Sequence, residues 1–377
     1  MYRVLLAGGG TAGHVNPALA IAEIIKDKYP DTEFCFAGNP DKIEAELVKK
    51  AGYRFEPVKI EGFQRKISPS NIKRNFKAVG YLMTSGKTCK RIIRDFKPDL
   101  VVGTGGYVSG PVVRAAAKMG IRTAVHEQNA YAGVTNKILS KHADVVMLSV
   151  KEAKKYFEKA KKVVVTGLPV RKAFSKMSKQ EARKQLGFDD GRVCVLSTGG
   201  SLGSMTINKY VAKLLKYYQD NGVKVNHIHS YGTYSEYKDY VRTLEESGVK
   251  IKGDPHRIVD SYINMPVAMA ACDLVITRCG ACALTELEAM GRPAVMIPSP
   301  MVAENHQYYN GLVLQNAGAG VVIEEKDLTD DLFIKTVTDY INDPAKLEES
   351  AKKAAGLHIG DTRERIMQAL DKLLAGN

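Results

Sequence analysis

Tryptophan is absent from the 377 residues, and no apolar run approaches the length needed to span a bilayer. The start of the chain has no signal-peptide pattern either, since Arg3 to Ala7 reads as a strand, and a cytoplasmic protein is expected. Cysteine is sparse: six residues (35, 89, 194, 272, 279, 282) lie scattered in mostly apolar surroundings, as reduced core thiols do, which argues against a disulfide framework. Cys279 and Cys282 have a CxxC spacing, but no second CxxC or CxxH pair follows, so a zinc site is disfavoured. Acidic residues are in deficit, 41 against 55 basic, for a net charge of +14.

That excess is local. Lys59 to Lys97 holds eleven basic residues against two acidic ones (Glu61, Asp95), which leaves nine of the fourteen charges there. From Asn71 onward Ile72, Phe76, Val79, Leu82 and Met83 approximate helical spacing, with Lys73, Arg74 and Lys77 on other faces. A basic amphipathic helix suits an anionic membrane surface, while a helix packed on a sheet with a solvated basic face would look similar. Nucleic acid is disfavoured, because the segment has few aromatics and no binding motif.

The remaining sequence alternates strands and helices. Strands are expected at Arg3–Ala7, Glu33–Ala37, Arg54–Ile60, Leu100–Gly103, Thr123–His126, Val145–Leu148 and Val163–Thr166. A second series follows at Arg192–Thr198, Lys224–Ser230, Val249–Lys252, Leu274–Thr277, Ala294–Pro298 and Gly320–Ile323. Two doubly wound parallel α/β domains are implied, residues 1–166 and 167–357, joined near Thr166-Gly-Leu-Pro-Val-Arg171. The last stretch, Pro344 to Leu374, is helical by composition, and residues from about 358 to 377 are expected to return to the first domain.

The clearest site signal is strand, turn and helix at Leu274 to Met290. Such a turn lies at the carboxyl edge of a parallel sheet, and the unpaired N–H groups near Ala281, Cys282 and Ala283 suit a diphosphate. Glu286, four residues beyond Cys282, reaches a ribose hydroxyl or merely complements the helix dipole. His306 and Gln307 are candidates for sugar hydroxyls. Ser201, in the turn Gly199-Gly-Ser-Leu-Gly-Ser204, is placed to contact a phosphate.

In the first half, Gly8-Gly-Gly-Thr-Ala-Gly13-His14 precedes a helix expected to start at Asn16 and Pro17. No acidic residue ends the second strand, which disfavours a nicotinamide dinucleotide. His14 is either a general base, since imidazole titrates near neutral pH, or a loop brace. Gly103-Thr-Gly-Gly-Tyr-Val-Ser-Gly-Pro111 and His126-Glu-Gln-Asn129 add two more loops at strand ends.

Taken together, GGGTAGHVNP (8–17), GTGGYVSGP (103–111), HEQNAYAGVTNK (126–137), TGLPVR (166–171), GGSLGS (199–204) and the stretch from Arg278 to Asn310 closely resemble the MurG family. These are UDP-N-acetylglucosamine–lipid I transferases of bacterial cell-wall synthesis. The resemblance implies a GT-B glycosyltransferase fold, two Rossmann-like domains facing each other across a cleft. It implies inverting transfer of N-acetylglucosamine to the 4-hydroxyl of the muramoyl unit of undecaprenyl-diphosphate-linked lipid I, giving lipid II, at the cytoplasmic face of the cell membrane. No cofactor or metal is implied, in keeping with the lack of any Asp-x-Asp pair, and other cell-wall synthesis proteins are expected partners. By resemblance Arg171, Ser201, Ile263, Ala281, Cys282, Ala283, Glu286 and Gln307, with His306 adjacent, are donor-site positions. Thr11, Ala12, Gly13, His14, Glu127 and Asn129 lie near the reacting sugar and acceptor, with His14 and Glu127 taken as catalytic. The alternatives are another GT-B enzyme, such as a lipid glycosyltransferase or a UDP-sugar epimerase, and a non-catalytic membrane-docking protein.

Overall fold

The computed structural model describes residues 1–61, 84–175 and 177–375. It divides into two compact units, Met1–Pro169 with Ile359–Asn377, and Val170–His358. Among the described residues no helix is long and apolar enough to cross a membrane.

The first unit is built on seven strands: β1 (Arg3–Gly8), β2 (Glu33–Gly38), β3 (Arg54–Pro57), β4 (Leu100–Gly105), β5 (Arg122–Glu127), β6 (Val145–Leu148) and β7 (Val163–Val165). They run parallel in the order β3-β2-β1-β4-β5-β6-β7. Val4 to Ala7 and Leu100 to Val102 are fully buried, as continuous apolar runs in a sheet covered on both faces must be. Helix Ala12–Lys28 covers one face with Val15, Ala18, Ile21, Ala22 and Ile25. Ile366 and Leu370 of helix Thr362–Leu374 are buried in the same cluster, each side chain worth about 2 kcal/mol in burial alone.

The second unit carries β8 (Cys194–Thr198), β9 (Asn226–Ser230), β10 (Arg257–Asp260), β11 (Leu274–Thr277), β12 (Ala294–Met296) and β13 (Gly320–Val322), parallel in the order β10-β9-β8-β11-β12-β13. In each sheet the winding direction reverses beside the first strand, between β1 and β4 and between β8 and β11. Ligands of open α/β sheets bind at the carboxyl ends of the strands flanking that reversal.

Two local expectations fail. Val249–Lys252 is not a strand. Val249 and Ile251 are buried in the core beneath the sheet, Gly253 turns the chain, and Arg257–Asp260 takes the place beside β9. The first helix starts at Ala12 rather than at Asn16 and Pro17, with the Thr11 carbonyl accepting from the N–H groups of His14 and Val15. Pro17 therefore lies inside the helix, where its ring costs one ladder bond, the one to the Gly13 carbonyl.

The core of the second unit holds a polar triplet whose titration follows from burial. Ser197 Oγ lies 2.8 Å from both His227 Nε2 and His229 Nδ1, and all three residues are fully buried. Burial holds His227 well below the ordinary imidazole range, with His229 and Arg257 adding to the effect, and pushes His229 down to about 3. In the unfolded chain both take up protons as pH falls through about 6.5. Their contribution to stability is thus complete above that pH and is lost progressively below it, by up to about 1.4 kcal/mol per pH unit for each histidine. Urea unfolding of the second unit is expected to shift to lower midpoints from pH 7.5 to 5, with a shallower pH dependence in His229→Gln. A midpoint unchanged over that range would contradict this reading.

Candidate active site

In the first unit the glycine-rich turn after β1 rests on a buried carboxylate. Glu44, 1% exposed, accepts from the backbone N–H of Gly10 at 3.0 Å and of Asn39 at 3.0 Å. The turn after β4 closes over it from the other side. A Cβ on Gly106 would lie 2.2 Å from the Gly9 carbonyl oxygen, and one on Gly105 would lie 2.7 Å from His14 Nδ1. Both residues have positive φ, so only glycine allows this approach. His14, half-buried in the first helical turn, places Nδ1 3.1 Å from the Thr104 carbonyl, while Thr104 Oγ1 donates to the His14 carbonyl at 2.7 Å. Thr11 and Gly13 beside it are exposed and Ala12 is half-buried.

Glu127, expected to be catalytic, is placed otherwise. It is 1% exposed; Oε1 accepts from Asn129 N and Nδ2 at 2.9 and 3.2 Å, and Oε2 from Gly133 N and Asn136 Nδ2, both at 2.9 Å. Four donors occupy the carboxylate, which braces the loop that carries Asn129.

In the second unit helix Ala281–Met290 starts at Gly280 with no side-chain cap, so the N–H groups of Ala281, Cys282 and Ala283 stand at the positive end of the helix dipole. Beside it a cavity of about 290 Å³ is lined by residues that include Arg171, Ser201, Ile263, Ala283 and Glu286. Arg171 approaches Glu286 Oε1 through Nε at 3.0 Å and Nη2 at 2.8 Å, and its guanidinium lies 4.7 Å from the Phe174 ring centre. Burial pushes the Glu286 carboxyl up, and Arg171 pulls it back. Burial likewise pushes the Cys282 thiol up to about 12, which keeps it from acting as a thiolate.

Two candidates lie on the segment after β12. Gln307 Oε1 accepts from Ser299 N at 2.9 Å, and His306 Nδ1 donates to the Ala303 carbonyl at 2.8 Å. Neither lines the cavity beside helix Ala281–Met290. Glu304 and Asn305 next to them both have positive φ, a strained conformation of the kind that gathers at functional sites.

Sequence reasoning missed the braces. Arg278 donates to the carbonyls of Ile297 and Pro298 at 3.1 and 3.2 Å and to Ser204 Oγ at 2.6 Å, and pairs with Glu325 at 2.5 Å. It ties the turns after β8, β11 and β12 together. An arginine in a strand-end turn and an acid in a first helical turn, as at Glu44, were the only signals. The membrane candidates Ile72, Lys73, Arg74, Phe76, Lys77, Val79 and Leu82 lie outside the described residues. The adjoining part of the first unit forms a groove of about 670 Å³ with exposed Lys87, Lys90, Arg114 and Lys118 along it and Tyr107 and Ile138 exposed at its wall.

Residues 4–148 match the glycosyltransferase family 28 N-terminal domain, and residues 194–367 match the glycosyltransferase family 28 C-terminal domain. The chain belongs to glycosyltransferase family 28. It is 42% identical over 373 residues to the UDP-N-acetylglucosamine–N-acetylmuramyl-(pentapeptide) pyrophosphoryl-undecaprenol N-acetylglucosamine transferase of Acetivibrio thermocellus, covering 99% of this chain and 98% of that one. The same-named transferase of Alkaliphilus oremlandii is 38% identical over 375 residues, with 99% of each chain covered. The crystal structure of Acinetobacter baumannii MurG superposes with a TM-score of 0.77 at 26% identity, covering 98% of this chain and 100% of that one. The first match takes in β1 to β6 and the second β8 to β13, and the fold is GT-B, built of two Rossmann-like domains.

Proposed function

We propose that this family 28 protein transfers N-acetylglucosamine from UDP-N-acetylglucosamine to lipid I, giving lipid II for peptidoglycan synthesis. The observation that carries the reading is the uncapped helix start at Ala281 beside a cavity lined by Ile263, Ser201 and Glu286, at the winding reversal of the second sheet. A uridine diphosphate matches each part of it. The diphosphate takes the N–H groups of Ala281 to Ala283, Glu286 takes a ribose hydroxyl, and the backbone at Ile263 takes the base.

The chemistry then needs a base and a stabilised leaving group. His14 Nε2 removes the proton of the acceptor 4-hydroxyl as its oxygen bonds to the anomeric carbon. The bond from that carbon to the diphosphate breaks on the opposite face, so the configuration inverts. UDP departs with its new negative charge held at the helix N-terminus, with Arg171 close by, and no metal is required. Glu127 contributes by fixing the loop that presents Asn129.

The acceptor's polyprenyl chain sits in an anionic leaflet, to which the net positive charge of the stretch 59–97 and the groove lined by Lys87, Lys90, Arg114 and Lys118 draw the protein. The protein is accordingly a peripheral one at the cytoplasmic face of the cell membrane.

Transfer of labelled sugar to a soluble lipid I analogue in EDTA tests the activity. The parent is expected to be active, with losses of about 100-fold or more in Glu286→Ala and His14→Ala; an inactive parent that still binds UDP-N-acetylglucosamine would redirect the reading to an epimerase or another acceptor. Charge reversal at Lys73, Arg74 and Lys77 is expected to weaken sedimentation with phosphatidylglycerol vesicles while sparing activity on the soluble acceptor. Equal losses in both assays would remove the membrane role of that segment.

A further inference from the structure

A chain of hydrogen bonds in the first unit runs from His14 to the backbone just before the boundary between the two units. His14 Nδ1 lies 3.2 Å from Gln128 Oε1. Gln128 Nε2 lies 3.1 Å from His126 Nδ1 and 2.8 Å from the His126 carbonyl. His126 Nε2 lies 3.0 Å from the Gly167 carbonyl. His126 is 0% exposed and Gln128 is 3% exposed, so water competes for none of their bonds.

The direction of every bond is fixed from the far end. A carbonyl oxygen only accepts, so His126 Nε2 carries a proton. Burial pushes the His126 imidazole down to about 4, and near neutral pH it is uncharged with a lone pair on Nδ1. Gln128 must then turn its amide nitrogen toward that lone pair, and its second N–H serves the His126 carbonyl. Its oxygen is left facing His14 and can only accept. The His14 proton therefore sits on Nδ1, as the Thr104 carbonyl also demands, and Nε2 carries the lone pair.

We infer that Gln128 and His126 are positioning residues that hold His14 in the Nδ1–H tautomer, with the Gly167 carbonyl as the anchor of the chain. The anchor is itself constrained. Gly167 has φ +82, a Cβ there would lie 2.3 Å from Thr362 Oγ1, and Thr166 Oγ1 donates to the same carbonyl at 3.1 Å. The backbone that leads into the second unit thus takes part in orienting the base. This inference rests on His14 being the base, but its structural half can be measured without activity.

The test is long-range proton–nitrogen correlation on the full chain labelled with 15N-histidine at pH 8, with His14 assigned from the spectrum of His14→Ala. The parent is expected to show His14 protonated at Nδ1. Gln128→Met, in which His14 Nδ1 keeps the Thr104 carbonyl but loses the Gln128 acceptor, is expected to show partial loss of the Nδ1–H tautomer and a lower kcat, with KM for UDP-N-acetylglucosamine within about twofold. His126→Phe, which removes the ring acceptor for Gln128 and leaves it the residue-126 carbonyl, is expected to shift the tautomer in the same direction, and His126→Asn, which returns an acceptor near the Nδ1 position, is expected to restore it. Gln128→Glu gives a second test if the methionine variant does not fold: its carboxylate accepts from His14 and cannot donate to His126, so the His14 proton is expected to stay on Nδ1 while the His126 nitrogens shift. A parent His14 protonated at Nε2, or an unchanged tautomer and kcat in both Gln128→Met and His126→Phe, would overturn the inference. Full transfer by His14→Ala would remove the base assignment alone, and the tautomer pattern would still decide whether the chain orients His14.

Discussion

The structure depends on what happens to backbone N–H groups where a parallel strand ends and a helix begins. A helix leaves its first donors without partners, and burying them unpaired is costly, so each strand-to-helix turn must be capped, wetted or given a ligand. In the second unit the helices that begin at Met205 and Asp330 are capped by Ser204 and Thr329. The helix that begins at Ala281 has no side-chain cap, and it lies beside the cavity at the winding reversal, as does the short uncapped helix that begins at Met265. An anion placed there completes the hydrogen bonding of the fold and gains the dipole as well.

Support for those turns comes from buried or half-buried charged side chains that hydrogen-bond to backbone as well as to neighbouring side chains. Glu44 holds the turn after β1, Glu127 the loop after β5, and Arg278 the turns after β8 and β12. Each satisfies several donors or acceptors that packing alone would leave unpaired, which is why an ionised group is tolerated there. The first unit thereby presents His14 with Nδ1 at the Thr104 carbonyl, and the second unit presents an N-terminus and a carboxylate paired with Arg171.

Much of this was legible in the residues. The run Leu274–Thr277 and the helix Ala281–Met290 carry their own punctuation, a β-branched strand, a glycine turn and a glycine stop, and the structure has them at those bounds. The twofold strand–helix alternation gave two parallel sheets. What failed did so where long-range packing outweighs local preference. Pro17 suggested a helix start, but the contacts of Thr104 and Gly105 with His14 favour an earlier one. Val249–Lys252 has strand-like alternation, yet its apolar residues serve the core beneath the sheet, and β9 pairs with β10 instead. Glu127 was read as chemistry by resemblance alone, and the four hydrogen bonds that tie it to its own loop were not visible in the sequence. Glu44 and Arg278 are ordinary charged residues in sequence, and their work appears only once distant turns are brought together.

The most direct test of the central claim is calorimetric titration of UDP into the protein in EDTA, for the parent and for Glu286→Ala. The account predicts metal-free binding by the parent and affinity reduced by about tenfold or more in the variant, as expected when a hydrogen-bonded carboxylate partner of a ligand hydroxyl is removed. Binding that requires a divalent cation, or that is indifferent to Glu286, would contradict it.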